Sequence, residues 1–482
     1  MPCTAIAPGM SAQERARYVE ENLPSGLFRV PDANERIAWR VSPEPFALSP
    51  ATVKRIESLG EDLLAFYRGL NALYTRSARG TAPAFIAEYL DQGKPDHIVR
   101  LARQNRFRSD LVGVIRPDLI LTEPDAGEQG FVATELDSLP GGMGFVGAMA
   151  DTYCHIGLES VGGVDGIANG FTALITDLAG RSHPVAAIVV SEESADYRNE
   201  LDWLAKRITL LGDATVHCVA PNDVIFTEQA LFVRLPDGRE EKIDVFYRNF
   251  ELFDLLNVPK WELMFYAARR GRVRMTPPPK AQLEEKMAFA LLHHAALEPL
   301  WRAELGNEPY ERLCAVLPQT WVMDPRPLPP QAAIAGLEAA GRPVFDWKDL
   351  AKLGKGERDF VVKPSGFSEL AWGSRGVKIA NDLTREEWTE ALDVALAAYP
   401  TTPHILQRFR KGRRVTASWL DRTENQLRSM EGRVRLSPYY FVAGGRSVLG
   451  GILATIVPAD KRLIHGMRDA VMAPCMVRED GV

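Results

Sequence analysis

Two short apolar segments constrain the fold of this chain more than any other feature. LVGVIRPDLILT (111–122) and GFVATELDSL (130–139) are rich in β-formers, and the turn-forming stretch EPDAGEQ (123–129) separates them. That is the pattern of a β-hairpin. Side chains two apart on a strand face the same way, so Arg116 shares a face with Asp118, and Glu135 shares one with Asp137. Pairing the two strands gathers three carboxylates and one guanidinium on a single face. Hard cations such as Mg2+ take carboxylate oxygens together with phosphate oxygens. A neighbouring guanidinium neutralises a phosphate or acyl-phosphate. The competing reading is a solvated hairpin face of alternating charge, and spacing alone leaves both open.

The rest of the chain is arranged around this hairpin. Residues 1–110 read as a helical region. Ser11 and Glu14 form a capping box for SAQERARYVEENL, and SPATVKRIESLGEDLLAFYRGLNALYTRSARG has apolar residues at three- and four-residue spacing. Residues 111–182 hold the charged strands and the GGMGFVGAMADTY loop and helix. Residues 183–260 read as a small open α/β sheet, beginning with the apolar strand HPVAAIVVSEES. Residues 261–482 hold PPPKAQLEEKMAFALLHHAAL, read as a proline-started helix, and the strands DFVVKP and HILQRF. The fold class expected is therefore mixed, α+β or α/β.

Three further segments carry candidate chemistry. DFVVKPSGFSELAWGSRGVKI ends an apolar strand in Lys363 and continues into a loop with Ser365, Gly366, Arg375 and Gly376, whose amides and cations suit a triphosphate. It is not a P-loop, because GxxxxGK[ST] is absent. Gln407 in HILQRF follows a strand and is placed to read an adenine edge. Lys286 in LEEKMAFALL lies on the expected helix. Taken singly, each also reads as a surface or strand-end residue. The glycines and amides of LPGGMGFVGAM are a candidate cradle for a substrate carboxylate, with a tight turn into helix packing as the alternative.

In combination and order, these segments resemble the circularly permuted ATP-grasp ligases, the group that includes glutathionylspermidine synthetase. RPD…ELDS resembles that family's paired metal-binding strands. KIDVFYRNFELFDLL resembles the connection between its substrate and nucleotide regions, LEEKMAFALL the helix bearing its first ATP lysine, VVKPSGFSELAWGSRGV its lysine strand and glycine-rich lid, and ILQRF the strand leading to the adenine hinge. The likeness spans roughly residues 110–460, and the carboxylates precede both lysines, as in the permuted branch.

The resemblance implies an ATP-grasp fold, with ATP and Mg2+ as cofactors. Asp118, Glu135 and Asp137 would hold Mg2+. Arg116 would steady the transferred phosphoryl group. Lys286 and Lys363 would bind phosphates, Ser365, Gly366 and Gly376 would belong to the lid, Arg375 would close on the γ-phosphate, and Gln407 would lie near adenine. Asp137 stands where the family has Asn. GILATIVP contains no late catalytic arginine, and Arg435 and Arg446 lie nearby without aligning.

The activity so implied is ATP-dependent ligation of a small-molecule carboxylate to an amine through an acyl-phosphate. The alternatives are a nucleotide-binding scaffold or regulatory protein that does not ligate, and a small-molecule phosphotransferase. A net charge of −6 argues against nucleic acid or anionic membranes as partners. No stretch of about 18 apolar residues suggests a membrane span. The five cysteines are scattered and lack a CxxC pair, so free thiols in a reducing cytoplasm are expected.

Overall fold

The structure is a computed structural model that describes residues 9–27, 39–123, 130–329, 332–371, 376–461, 463–464 and 469–482. Its centre is an eight-stranded sheet. Across the main path, the strands run Arg40–Val41, Val471–Val477, Arg446–Pro458, Gln426–Ala443, Val114–Leu121 and Phe131–Asp137. Arg414–Asp421 also pairs with Gln426–Ala443, and Phe46–Leu48 with Val471–Val477. The two short N-terminal strands pair in parallel and the other ladders are antiparallel.

Each face of this sheet buries its own core. One packs against the long helix Pro50–Ala78 through Leu63, Phe66, Leu70 and Tyr440. That helix starts on the Ser49 cap with Pro50 in its first turn, where a missing N–H costs nothing. The other face packs against helices Met143–Cys154 and Gly166–Ala179 through Phe145, Phe171 and Tyr439.

A four-stranded parallel sheet takes three strands from the 183–260 region and one, Arg274–Thr276, from beyond it. Its order is Arg274–Thr276, Val245–Asn249, Val185–Val190, Thr215–Val219, all parallel. The Val245–Asn249 strand is buried along its whole length and Val185–Val190 nearly so, as a sheet covered on both faces requires. A separate antiparallel sheet, ordered Thr320–Val322, His404–Arg408, Phe360–Pro364, Lys378–Ile379, packs on helix Arg385–Ala397.

Three expectations change. The region read as helical also supplies Arg40–Val41 and Phe46–Leu48, strands too short to carry a periodic signal. The helix expected over 277–297 is broken into a 3-10 turn at Ala281–Leu283, a helix at Met287–Leu292 and a second 3-10 turn at Ala295–Leu297. Pro277, Pro278 and Pro279 donate no amide, and three consecutive charged residues further on are held by separate partners: Glu284 by Arg248, Glu285 by Lys94 and Lys286 by Glu135. Finally, Cys154 is disulfide-bonded, while Cys218, Cys314 and Cys475 are free thiols. Among the described residues, no helix is long and apolar enough to cross a membrane.

Helix Met143–Cys154 approaches helix Arg198–Leu211 backbone to backbone at Gly144, where an added Cβ would stand 1.8 Å from the Glu200 carbonyl oxygen. Overpacking of this kind costs about 1–3 kcal/mol or more. Gly144→Ala is therefore expected to lower unfolding stability by at least about 2 kcal/mol in a denaturant titration. A loss below about 0.5 kcal/mol would show that the two helices separate freely.

Candidate active site

The hairpin forms as its alternation requires. In the ladder, Arg116 lies opposite Asp137 and Asp118 opposite Glu135, with a register irregularity just after Asp118. Cross-strand partners share a face, so the four charges lie together. The Arg116 guanidinium is 3.2 Å from Asp118 and 3.0 Å from Asp137, and it also donates to the Gly141 carbonyl at 3.1 Å.

Burial would push the Asp118 carboxyl up, but Arg116, Arg435, the Ser437 hydroxyl and Lys363 together hold it below the usual carboxylate range. Burial does raise Asp137, against the opposing pull of Arg116. Asp137 also accepts the Leu139 amide at 2.8 Å.

Arg435 is the residue that sequence reasoning left unplaced. It lies on the strand adjoining Val114–Leu121, and its Nη1 is 3.0 Å from Asp118 Oδ2, while Ser437 donates to Oδ1 at 3.0 Å. The alternation Arg433, Arg435, Ser437 in GRVRLS was the available signal, but its pairing with a strand three hundred residues upstream was not visible. Arg446 lies elsewhere, largely exposed and 3.8 Å from Glu61.

A cavity of about 290 Å³ lies between the eight-stranded sheet and the small antiparallel sheet. Asp118, Glu135 and Arg435 line it from one side, Lys363 and Gln407 from the other, with Lys286 at its edge. Lys286 pairs with Glu135 at 2.6 Å. Burial works against the Lys286 charge, and Glu135, Glu285 and Asp137 together outweigh it, holding the ammonium above the ordinary lysine range. Glu135 in turn is held down by Lys286 and Lys363 against the upward push of burial.

Lys363 Nζ donates to the Thr134 carbonyl at 2.8 Å and to Gln407 Oε1 at 2.9 Å, so one ammonium bridges the two sheets. Burial pushes it down to about 8. The Gln407 amide nitrogen donates to Thr320 Oγ1 at 3.2 Å. Both ends of that side chain thus have a partner inside the protein, and Gln407 also lines the cavity. Beyond the charges, Val361, Leu370, Ile379, Phe409 and Ile464 give the cavity an apolar end.

Ser365 is buried directly after Lys363 and Pro364, and its hydroxyl donates to Glu285 and accepts the Met287 amide at 2.9 Å. Gly366 has φ +77°, and a Cβ there would stand 1.9 Å from Glu285 Oε2. The Gly376 amide closes back on the Leu370 carbonyl at 3.1 Å. Arg375 lies outside the described residues.

The candidate carboxylate cradle at 141–145 is filled by the protein itself. Glu200 is fully buried and accepts the Gly142 and Phe145 amides. Burial raises its carboxyl to about 7 against those hydrogen bonds.

Among the described residues, no three His, Cys, Asp or Glu side chains gather as one metal-ligand set. Asp118 and Glu135 both reach the cavity. Asp137 is turned to Arg116 and the Leu139 amide, and it does not line the cavity.

No protein-family model and no curated protein matches the chain. Among solved structures, it is similar to a glutathione synthetase-like effector from Globodera pallida in its apo form. The TM-score is 0.59 at 10% identity, over 97% of both chains. A putative gamma-glutamylcysteine synthetase from Methylobacillus flagellatus KT matches at TM-score 0.35 and 12% identity, over 85% of this chain and 84% of that one. The first likeness shows a shared overall fold of mixed α/β type, and the second is too distant to argue from.

Removing Arg435 leaves Asp118 buried with a partner missing, which costs about 3–5 kcal/mol when one member of a buried pair is lost. Arg435→Met is expected to destabilise the protein by about 3 kcal/mol in urea unfolding. Arg446→Met should change it by less than about 0.5 kcal/mol, because exposed pairs contribute little. Equal effects would remove the distinction between the two arginines.

Proposed function

We propose that this chain is an ATP- and Mg2+-dependent ligase that joins a small-molecule carboxylate to an amine, on an ATP-grasp fold in circularly permuted order. One observation carries the reading. Two sheets face each other across a single cavity, one presenting Asp118, Glu135 and Arg435, the other Lys363, with Lys286 between them and an apolar end beyond. That combination suits a nucleotide, with its base in the apolar end and its phosphates among the cations. The fold likeness to a glutathione synthetase-like effector agrees with it.

The donor set also fits Mg2+, which takes one or two carboxylates plus phosphate oxygens and waters. Glu135 and Asp118 would hold it, and it would supply neutralisation of the phosphoryl charge. Asp137 is left to orient Arg116.

Lys286 exchanges Glu135 for a phosphate oxygen when the nucleotide enters, which releases the Glu135 carboxylate. Lys363 stays on the second sheet and faces the phosphates. The substrate carboxylate attacks the γ-phosphorus, the bond to the β-phosphate oxygen breaks, and ADP leaves an acyl-phosphate. The amine nitrogen then attacks the acyl carbon, the carbon–oxygen bond to phosphate breaks, and the nitrogen gives its proton to solvent. Arg435 lines the cavity and stabilises charge on the transferred group, and Arg116, which does not line it, holds Asp118 in place. Catalysis of this kind comes from positioning and electrostatics, without a protein nucleophile.

A second reading, nucleotide binding without ligation, is favoured by one feature: both Asp118 oxygens already have protein partners. ADP release separates the two. With ATP, Mg2+, hydroxylamine and a panel of carboxylic acids, a ligase gives ADP and a hydroxamate, whereas a binding protein gives neither.

Glu135→Gln is expected to cut ADP release at least about 100-fold while the melting temperature stays in place. Near-normal turnover would sink the metal role. Protonated Lys363 is the phosphate-binding form, and burial sets its pKa at about 8 in the free protein. ATP affinity measured by calorimetry should therefore fall as pH rises above 8, approaching about tenfold per pH unit, with proton uptake on binding. Lys363→Met should bind ATP more weakly and flatten that dependence. An unchanged slope would take Lys363 out of the site.

A further inference from the structure

The segment that carries Lys286 is fastened by a residue from far upstream in the chain. Lys94 lies in the turn between helices Phe85–Asp91 and Asp96–Ala102, and its ammonium is 2.5 Å from Glu285 Oε2. The two side chains are 2% and 0% exposed. The same turn is docked on the approach to the Gln407 strand, because Gln92 donates to the carbonyls of Tyr399 at 3.2 Å and Pro400 at 3.0 Å.

The other Glu285 oxygen accepts the Ser365 hydroxyl. Ser365 Oγ accepts the Met287 amide at 2.9 Å, and the Ser365 amide donates to the Pro403 carbonyl at 2.8 Å. The carboxylate of Glu285, the residue before Lys286, therefore ties its segment to Ser365, two residues after Lys363, and to the 92–95 turn. Gly366, with no Cβ to strike Glu285, allows that approach.

We propose that Lys94 is a positioning residue for the nucleotide site. By neutralising Glu285, it keeps that carboxylate buried against Ser365. This fixes Lys286 beside the cavity and sets the root of the loop that follows Lys363. The inference rests on the nucleotide reading given above. Without Lys94 the carboxylate is buried and unpaired, a state that proteins relieve by moving or protonating the group. Either change loosens the Ser365 link and lets Lys286 drift from the phosphates, while Asp118 on the hairpin keeps Arg116, Arg435 and Ser437.

The test compares the wild-type protein with Lys94→Met, Lys94→Arg and Ser365→Ala, using amide hydrogen exchange without nucleotide and ATP titration by calorimetry. In Lys94→Met, the amides of Met287 and Ser365 should exchange about tenfold faster or more, with amides in the Val114–Leu121 strand unchanged. ATP should bind about tenfold more weakly. Lys94→Arg should restore most of both, because a guanidinium can also pair with Glu285. Ser365→Ala, which keeps the Lys94–Glu285 pair, should give the same two local effects and guards against a Lys94→Met variant that does not fold.

Exchange that speeds up uniformly over the molecule in Lys94→Met, together with unaffected Met287 exchange in Ser365→Ala, overturns the proposal. ATP binding that survives both substitutions unchanged overturns it and leaves the nucleotide reading standing. No ATP binding by the wild-type protein overturns the nucleotide reading and this assignment with it.

Discussion

Four charges on one hairpin face dictate much of the surrounding structure. Arg116, Asp118, Glu135 and Asp137 alternate into the molecule, not out of it, and a buried charge without a partner is costly. Arg116 and Asp137 meet within the hairpin, and the other two are met by groups from elsewhere: Asp118 by Arg435 and Ser437 on the neighbouring strand, and Glu135 by Lys286. Lys363 then crosses from the small antiparallel sheet to the Thr134 carbonyl. The requirement to neutralise the hairpin thus sets where three other segments dock. The cavity is the space those partners leave between them.

The hairpin was legible in the sequence because its information is local. Alternation places Arg116 with Asp118 and Glu135 with Asp137, and the turn-forming residues between the two segments mark them as neighbours. The Lys363 strand and the parallel sheet were legible for the same reason, since apolar runs bounded by turn residues report their own state. Helix caps at Ser11 and Ser49 also lie within a few residues of what they cap.

What stayed hidden was register between distant segments. Nothing local tells Arg435 from Arg446, yet one meets Asp118 and the other lies out by Glu61. The contacts that Gln407 makes with Lys363 and Thr320 come from segments far away in the chain. The 141–145 amides look like an anion cradle until Glu200 arrives from another helix. The break in the 277–297 helix belongs here too. Its pattern reads as helical, and long-range ion pairs to Arg248, Lys94 and Glu135 outweigh that local preference.

The edge of the large sheet bears on how the protein comes into being. Among the described residues, Arg40–Val41 and Phe46–Leu48 pair only with Val471–Val477, a strand made after most of the chain has been synthesised. The backbone of Ala47 and Ser49 is further tied to Val482. Pairings so distant in sequence form late, because loop closure must precede any gain from the contact. During synthesis, the early strands therefore wait unpaired on the ribosome, as exposed sheet edges that attract other chains. Glu44, Ser42 and Pro45 border those strands, and a charge and a proline beside an open edge are the residues that discourage such association.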